Sequence, residues 1–434
     1  MQKFKSDFLL GSATAAHQVE GNNTNSDCWA MEHMSNGGYA EPSLDAVDQY
    51  NRYEEDICLM EKAGLNAYRF SIEWARIQPE DGVFDDAEMQ HYMDEIACCK
   101  AHGIEPIVTL HHFSSPKWLI SKGGWEAQTT PDDFEKYTRY VISHIGPEVK
   151  YICTINEANM GIQVAAVAKR IMKQMMAKMQ AQAGAQASAD GQVQMGINLD
   201  EMIKARMSAG AEENMAVFGV PKIENFTSMR TEEGDKLVMR AHCQARDAIK
   251  ELFPDIKVGL TLSLHDIQVQ EGGEAYAAEE WDRDFAHYLP YIKDDDFLGV
   301  QNYTRELIGP EGQLPNPEGA ELTQMDYEFY PEALGHVIRK VAQDFKGDMI
   351  VTENGVAVSD DTRRVEFIRR ALEGVQSCIA DGLPVKGYCY WSLLDNFEWQ
   401  KGYAMTFGLI AVDRSTQIRY PKESLSYLGS CREK

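Results

Sequence analysis

The chain has 434 residues, 44% of them hydrophobic and 25% charged, and carries a formal net charge of −26. That length can bury a large core without disulfides or structural metal, and the acidity argues against nucleic acid or an anionic membrane as partner, since both attract basic proteins. Nine cysteines at 28, 58, 98, 99, 153, 243, 378, 389 and 431, an odd count with no CxxC pair, read as reduced thiols of a cytoplasmic protein rather than a disulfide frame or a zinc site.

Near the N-terminus, Lys3 and Lys5 precede Phe8-Leu9-Leu10, and Ala13-Thr14-Ala15 resembles a cleavage site. The apolar run is too short for a signal peptide and contains Gly11 and Ser12, so it reads as a first strand. No stretch is long enough to cross a membrane. From there short β-rich runs alternate with longer helical ones. Eight strands are expected at Phe8–Ala13, Ala67–Ile72, Pro106–Leu110, Tyr151–Ile155, Val258–Leu262, Phe297–Gln301, Met349–Thr352 and Lys386–Tyr390. They are near-continuously apolar, as parallel strands buried on both faces should be. Helices are expected at Tyr53–Ala63, Asp86–His102 and Arg363–Ala380, each followed at once or shortly after by a glycine that stops it. With no break in composition, the eight units predict an α/β protein: a single (β/α)8 TIM barrel spanning 1–434, with elaborated βα loops.

The segment from Gly161 to about Asn225 interrupts this rhythm. Ile171, Met172, Met175, Met176 and Met179 recur at helical spacing, and the small-residue run AQAGAQASADGQ that follows reads as a flexible loop. The expected element is an amphipathic helix lying on the barrel. A methionine-lined wall for an apolar leaving group and an interface for a homo-oligomer are the alternatives.

Barrel enzymes build their sites where strands end and βα loops begin. Polar and aromatic residues stand at those points: Gln18, Arg69, His112, Asn156-Glu157, Tyr303, Glu353 and Trp391. The fifth strand lacks an obvious contributor, unless Ser263 or His265 serves. Two of these residues are carboxylates at the ends of different strands, Glu157 closing YICTINE and Glu353 closing MIVTE. Glycoside hydrolysis needs such a pair: one group protonates the leaving oxygen, the other attacks the anomeric carbon or activates water. Asn156 and Asn354 flank them as hydrogen-bond donors. Arg69 is expected to hold the pKa of Glu353 down and Tyr303 to bond to it, while burial and the Glu353 charge raise Glu157. The segment GYCYWSLLDNFEWQKGYAMTFGLIAVD adds apolar faces at Trp391, Trp399 and Phe407 and two acceptors at Glu398, the combination that sugar hydroxyls and C–H faces call for.

These motifs together resemble the family-1 glycoside hydrolases, the β-glucosidase and β-galactosidase group, over nearly the whole chain. The matching pieces are FLLGSATAAHQVEG, EGNNTNSDCW, YRFSIEWARIQP, VTLHHFSSPKWL, TINE, NYTR, VTENG and WSLLDNFEW…GYAMTFGL. The resemblance implies retaining hydrolysis of a small β-glycoside or oligosaccharide, without metal or cofactor. It implies Glu157 as acid/base and Glu353 as nucleophile, supported by Arg69, Asn156 and Tyr303. It implies a sugar held by Gln18, His112, Asn156, Glu398 and Trp399, over a floor of Trp391, with Phe407 lining the same pocket. His112 rather than His111 aligns with the family's histidine, Tyr303 with its tyrosine, and Gln301 with its asparagine.

Members acting on 6-phosphosugars carry a serine, a lysine and a tyrosine where Glu398 and its neighbours stand, and a carboxylate there repels phosphate. A free sugar is therefore expected, with a 6-phospho-β-glycosidase and a catalytically weak sugar-binding relative as the alternatives. The chain departs from the family at Ala158, where proline is usual, at Phe113, where tryptophan is common, at Thr406, where arginine is common, and in the methionine-rich stretch. These departures touch the loops that build the leaving-group side and leave the first sugar subsite in place.

Overall fold

A computed structural model of the chain describes residues 3–187 and 210–433. Its centre is a closed barrel of eight parallel strands: β1 (Leu9–Ala13), β2 (Ala67–Ser71), β3 (Glu105–His111), β4 (Tyr151–Ile155), β5 (Lys257–Ser263), β6 (Phe297–Gln301), β7 (Asp348–Asn354) and β8 (Val385–Trp391), with β8 pairing back onto β1. All eight expected runs are barrel strands, and their ends differ from expectation by no more than two residues. Side chains alternate along each strand. Leu10, Tyr68, Val108, Ile152, Leu260, Leu298, Val351 and Tyr388 point outward into the main core, where helices such as Gln49–Ala63, Thr130–Ile145, Glu232–Leu252 and Asp361–Ala380 cover them.

The inward set forms a smaller core of Leu9, Ala13, Ala67, Ile107, Cys153, Phe297, Ile350, Cys389 and Trp391. Toward the C-terminal mouth the inward positions turn polar, with Arg69, Thr109, Thr261, Gln301 and Thr352, all buried. Room for this polar layer depends on Gly299. A Cβ there would come within 2.6 Å of Thr261 Cγ2 and 2.9 Å of Thr352 Oγ1. The nine cysteines are unpaired. Among the described residues no helix is long and apolar enough to cross a membrane.

The loops hold elements that their composition did not announce. Asp266–Val269, Arg305–Gly309 and Gly312–Gln313 form a three-stranded sheet, and Ile410–Val412 pairs with Arg419–Pro421. The helix Met160–Ala187 forms where helical spacing places it, but it carries on through the first part of the run expected as loop, residues 181–187. Alanine and glutamine are good helix formers, so that composition propagates a helix as readily as it ends one. The remainder of that run lies outside the described residues, as does the side chain of Met179. The helix also does not bury its apolar face on the barrel: Ile171, Met172, Met175 and Met176 are exposed.

Candidate active site

The described C-terminal mouth of the barrel opens into a cleft of 570 Å³ lined by Gln18, His112, Glu157, Tyr303, Glu353, Trp391, Glu398, Trp399 and Phe407 among others. Arg69 and Asn156 lie beneath it, fully buried. All eleven expected site residues therefore meet in one place. His111 does not join them. It faces away, with Nε2 against Ser115 Oγ at 2.9 Å and its ring between Trp125 and Phe226.

Glu157 reaches the cleft through an unusual turn. After β4 the chain leaves its ladder: Asn156 N–H donates to His111 O, Glu157 N–H to Thr261 Oγ1 at 2.8 Å and Ala158 N–H to Thr261 O. The backbone of Glu157 takes φ 42°, a left-handed conformation that non-glycine residues hold only when their surroundings impose it. Here Thr261 and the amide of Asn159, which bonds both Ser263 O and Asp284 O, impose it. Phe113 and Trp399 line the same cleft with φ 67° and 43°. Glu353 sits within β7, opposite Gln301, at a register shift between Val351 and Glu353. Such irregularities re-aim a side chain out of the regular pleat.

One guanidinium ties these parts together. Arg69 Nη1 donates to Glu353 Oε1 at 2.6 Å, Nη2 to Asn156 Oδ1 at 2.6 Å and Nε to Thr109 Oγ1 at 3.1 Å. Tyr303 donates its hydroxyl to the other oxygen, Glu353 Oε2, at 2.5 Å. Asn156 Oδ1 also accepts from Gln301 Nε2 (2.7 Å) and Thr261 Oγ1 (3.2 Å), which leaves its amide nitrogen facing His112 Nε2 at 3.1 Å. No hydrogen bond to the Glu157 carboxyl is found among the described residues. Asn354, expected beside Glu353 as a donor, instead braces the strands: it donates to Asn302 O and accepts from Tyr388 Oη.

The electrostatics follow from burial. Glu157 is pushed well above the ordinary carboxyl range, first by burial and then by the Glu353 charge, with Arg69 opposing. Glu353 was expected below that range, and it is not: burial outweighs Arg69 and the Tyr303 hydroxyl, so its pKa is raised too. It nonetheless has the cation and the hydroxyl that Glu157 lacks, so the one negative charge the pair most readily bears belongs on Glu353. Glu398 is lifted to about 8 by burial, against a hydrogen bond from Gln18 and with the charge of Glu353 adding to the rise. His112 is held well below its usual value by burial, Arg69 and His111, so its imidazole is neutral. Gln18 Oε1 and His112 Nδ1 are buried with no protein partner, which suits them to a ligand with hydroxyl groups.

Aromatic faces border these polar groups. Trp391 stacks near His112 with centroids 5.7 Å apart, and Phe407 meets Tyr303 edge-on at 6.2 Å. Trp399 lies on His17 at 5.7 Å, nearly parallel. His17 was not among the expected residues, nor was Glu32, which it bonds at 2.6 Å with both side chains fully buried. Both stand in the motif-bearing first loop, but nothing in the spacing pairs them. The fifth strand does contribute: Ser263 and His265 line the cleft, and Thr261, which was missed, sets the turn at Glu157. Among the described residues no cluster of His, Cys, Asp and Glu is arranged to hold a metal ion.

The profile described as Glycosyl hydrolase family 1 matches residues 1–193 and 292–434. A solved structure of the β-glycosidase BGL167 covers 98% of this chain and 96% of its own, at 42% identity and a TM-score of 0.85. A 1,4-β-D-glucan glucohydrolase of Thermotoga neapolitana is 28% identical over 98% of this chain and 97% of itself. A 6-phospho-β-galactosidase of Lacticaseibacillus casei is 29% identical over 98% and 97%. The chain belongs to glycosyl hydrolase family 1 and is a glycoside hydrolase.

Proposed function

We propose that the chain removes terminal β-D-glucosyl or closely related β-glycosyl residues from the non-reducing end of small glycosides, with retention at the anomeric carbon. Glu353 is the nucleophile and Glu157 the acid/base. The observation that carries this reading is the unequal setting of two buried carboxyls in one cleft: Glu353 bonded by Arg69 and Tyr303, Glu157 by neither. Glu353 Oε attacks the anomeric carbon as Glu157 gives its proton to the departing oxygen. The glycosyl ester that results is uncharged, so the repulsion that kept Glu157 protonated disappears and its pKa falls. Glu157 then takes a proton from water, which attacks the same carbon and frees Glu353.

Gln18, His112, Asn156, Glu398 and Trp399 hold the sugar, Trp391 is its stacking floor and Phe407 closes the side. A free sugar is favoured over a 6-phosphosugar. The single cation among the described lining residues is Lys401, exposed at the rim, while Glu398 lies within. A phosphate dianion would meet the buried carboxyl of Glu398, and the guanidinium beneath the cleft, Arg69, is already paired with Glu353.

The test is Glu353→Ala. Turnover of an aryl β-glucoside should vanish, and added azide should restore it with α-glucosyl azide as product. A variant that keeps full activity, or rescue that yields the β-azide, would sink the assignment. Rates on paired glucosides, galactosides, fucosides and 6-phosphoglucosides then fix the sugar, and preference for the phosphorylated member would overturn the free-sugar reading.

A further inference from the structure

The helix Met160–Ala187 begins three residues beyond Glu157 and carries an apolar strip that packing among the described residues leaves unexplained. Met160 and Val164 line the cleft. At about 100° per residue, Val167, Ile171 and Met175 continue the same face, so five apolar side chains share an arc of about 80°. Exposure rises outward along it: Met160 and Val164 are half-buried, then Val167 is 42%, Ile171 49% and Met175 60% exposed. At 1.5 Å per residue the strip is about 22 Å long. Lys169, Arg170 and Lys173 occupy the other side of the helix, and the charge of Arg170 acts on Glu280 of the neighbouring helix Glu274–Asp284. Arg170 is half-buried on that side, while Lys169 and Lys173 are exposed.

We propose that this strip seats the leaving group, and that the substrate is a glycoside of a hydrophobic alcohol with an extended tail. The inference rests on the assignment of Glu157 as the acid. That group must lie beside the departing oxygen, so the leaving group exits on the side of the cleft where the strip begins. A strip that starts inside the cleft and runs outward matches an elongated apolar chain anchored by a sugar at one end. Methionine and β-branched side chains in open positions suit a flexible tail, because the thioether adapts to irregular shapes. An anionic bilayer would be repelled by a net charge of −26, and a docking face for a second copy has no need to begin inside the cleft, as this strip does at Met160 and Val164.

The experiment is a series of alkyl β-glycosides from methyl to decyl, carrying the sugar that the wild type cleaves fastest, each below its micelle-forming concentration. For the wild type, kcat/KM should climb about two- to fourfold per added methylene. In the double variant Val164→Ser, Val167→Ser, at about 6 and 10 Å along the strip and so within reach of a decyl chain, the ratio of decyl to methyl rates should fall about tenfold. A flat series with the methyl glycoside still cleaved would overturn the strip and leave the proposed function standing; no cleavage of any glycoside would overturn both. A rising series that the double variant preserves would also refute it. The strip equally loses its role if that variant turns a wild-type dimer into a monomer, or abolishes binding to phosphatidylglycerol vesicles, with the series unchanged.

Discussion

In the proposed reaction Tyr303 and Arg69 divide the task of keeping Glu353 ionised. Arg69 supplies a full charge at 2.6 Å, and Tyr303 a neutral donor at 2.5 Å on the other oxygen. A hydrogen bond to the charged form of a carboxyl lowers its pKa, so its removal raises it. The proposed reaction needs Glu353 ionised and Glu157 protonated, and the rate should trace a bell against pH. In Tyr303→Phe the acid limb of kcat/KM should move to higher pH while the alkaline limb, governed by Glu157, stays near its place. At neutral pH the loss should be about ten- to hundredfold, the worth of a hydrogen bond to a charged group. An acid limb that does not move would remove Tyr303 from this role. Glu353 and Tyr303 were legible in the sequence because each ends or follows an apolar run. The direction of the Glu353 shift was not: sequence supplies the neighbouring Arg69 but not the depth of burial that outweighs it.

At the scale of strands, the eight barrel runs could be read because parallel strands buried on both faces must be apolar throughout. The short strands Asp266–Val269 and Arg305–Gly309 could not, since they are half-exposed, mixed in polarity and defined by partners distant in sequence. Thr261 is the instructive omission. In VGLTL it looks like one polar interruption of a core strand, yet the two-residue period shared with Gly259 and Ser263 points it inward. There its hydroxyl joins β5 to the turn after β4, accepting from Glu157 N–H and donating to Asn156 Oδ1. Thr261→Val keeps the shape and deletes both bonds, along with the one the hydroxyl accepts from Gln301 Nε2 at 3.1 Å. It leaves a buried N–H unpaired, at a cost of about 1–3 kcal/mol, and frees the turn that aims Glu157. Turnover of alkyl glycosides should fall about tenfold, and that of nitrophenyl glycosides much less, because only the poor leaving group needs the proton. Equal slowing of both would show that Thr261 does not aim the acid.

Across the whole molecule, buried carboxyls make stability depend on pH in an unusual sense. Glu95, which does not line the cleft and is 2% exposed, is lifted by burial to about 8 from an ordinary 4.5, although Gln49 donates to it at 2.9 Å. Glu73 is lifted to about 7 and Glu398 to about 8, both chiefly by burial. A carboxyl raised on folding binds its proton more tightly in the native state. Its contribution is therefore complete below about 4.5 and is lost as pH rises through the native value near 8. The melting temperature should fall between pH 5 and 8, where many proteins are near their most stable. The net charge of −26 pushes the same way, because self-repulsion grows as protons leave. Salt separates the two causes. Repulsion among surface carboxylates is screened within a few ångströms at 1 M salt, whereas a proton on a buried carboxyl is not. Glu95→Gln should flatten the fall by about 1.4 kcal/mol per pH unit in mid-window at low and high salt alike. Thermal melts of the two proteins across pH, in dilute buffer and in 1 M salt, supply the comparison. If salt alone abolishes the pH dependence and the substitution leaves it unaltered, then surface repulsion, and not the buried acids, sets the stability of this barrel.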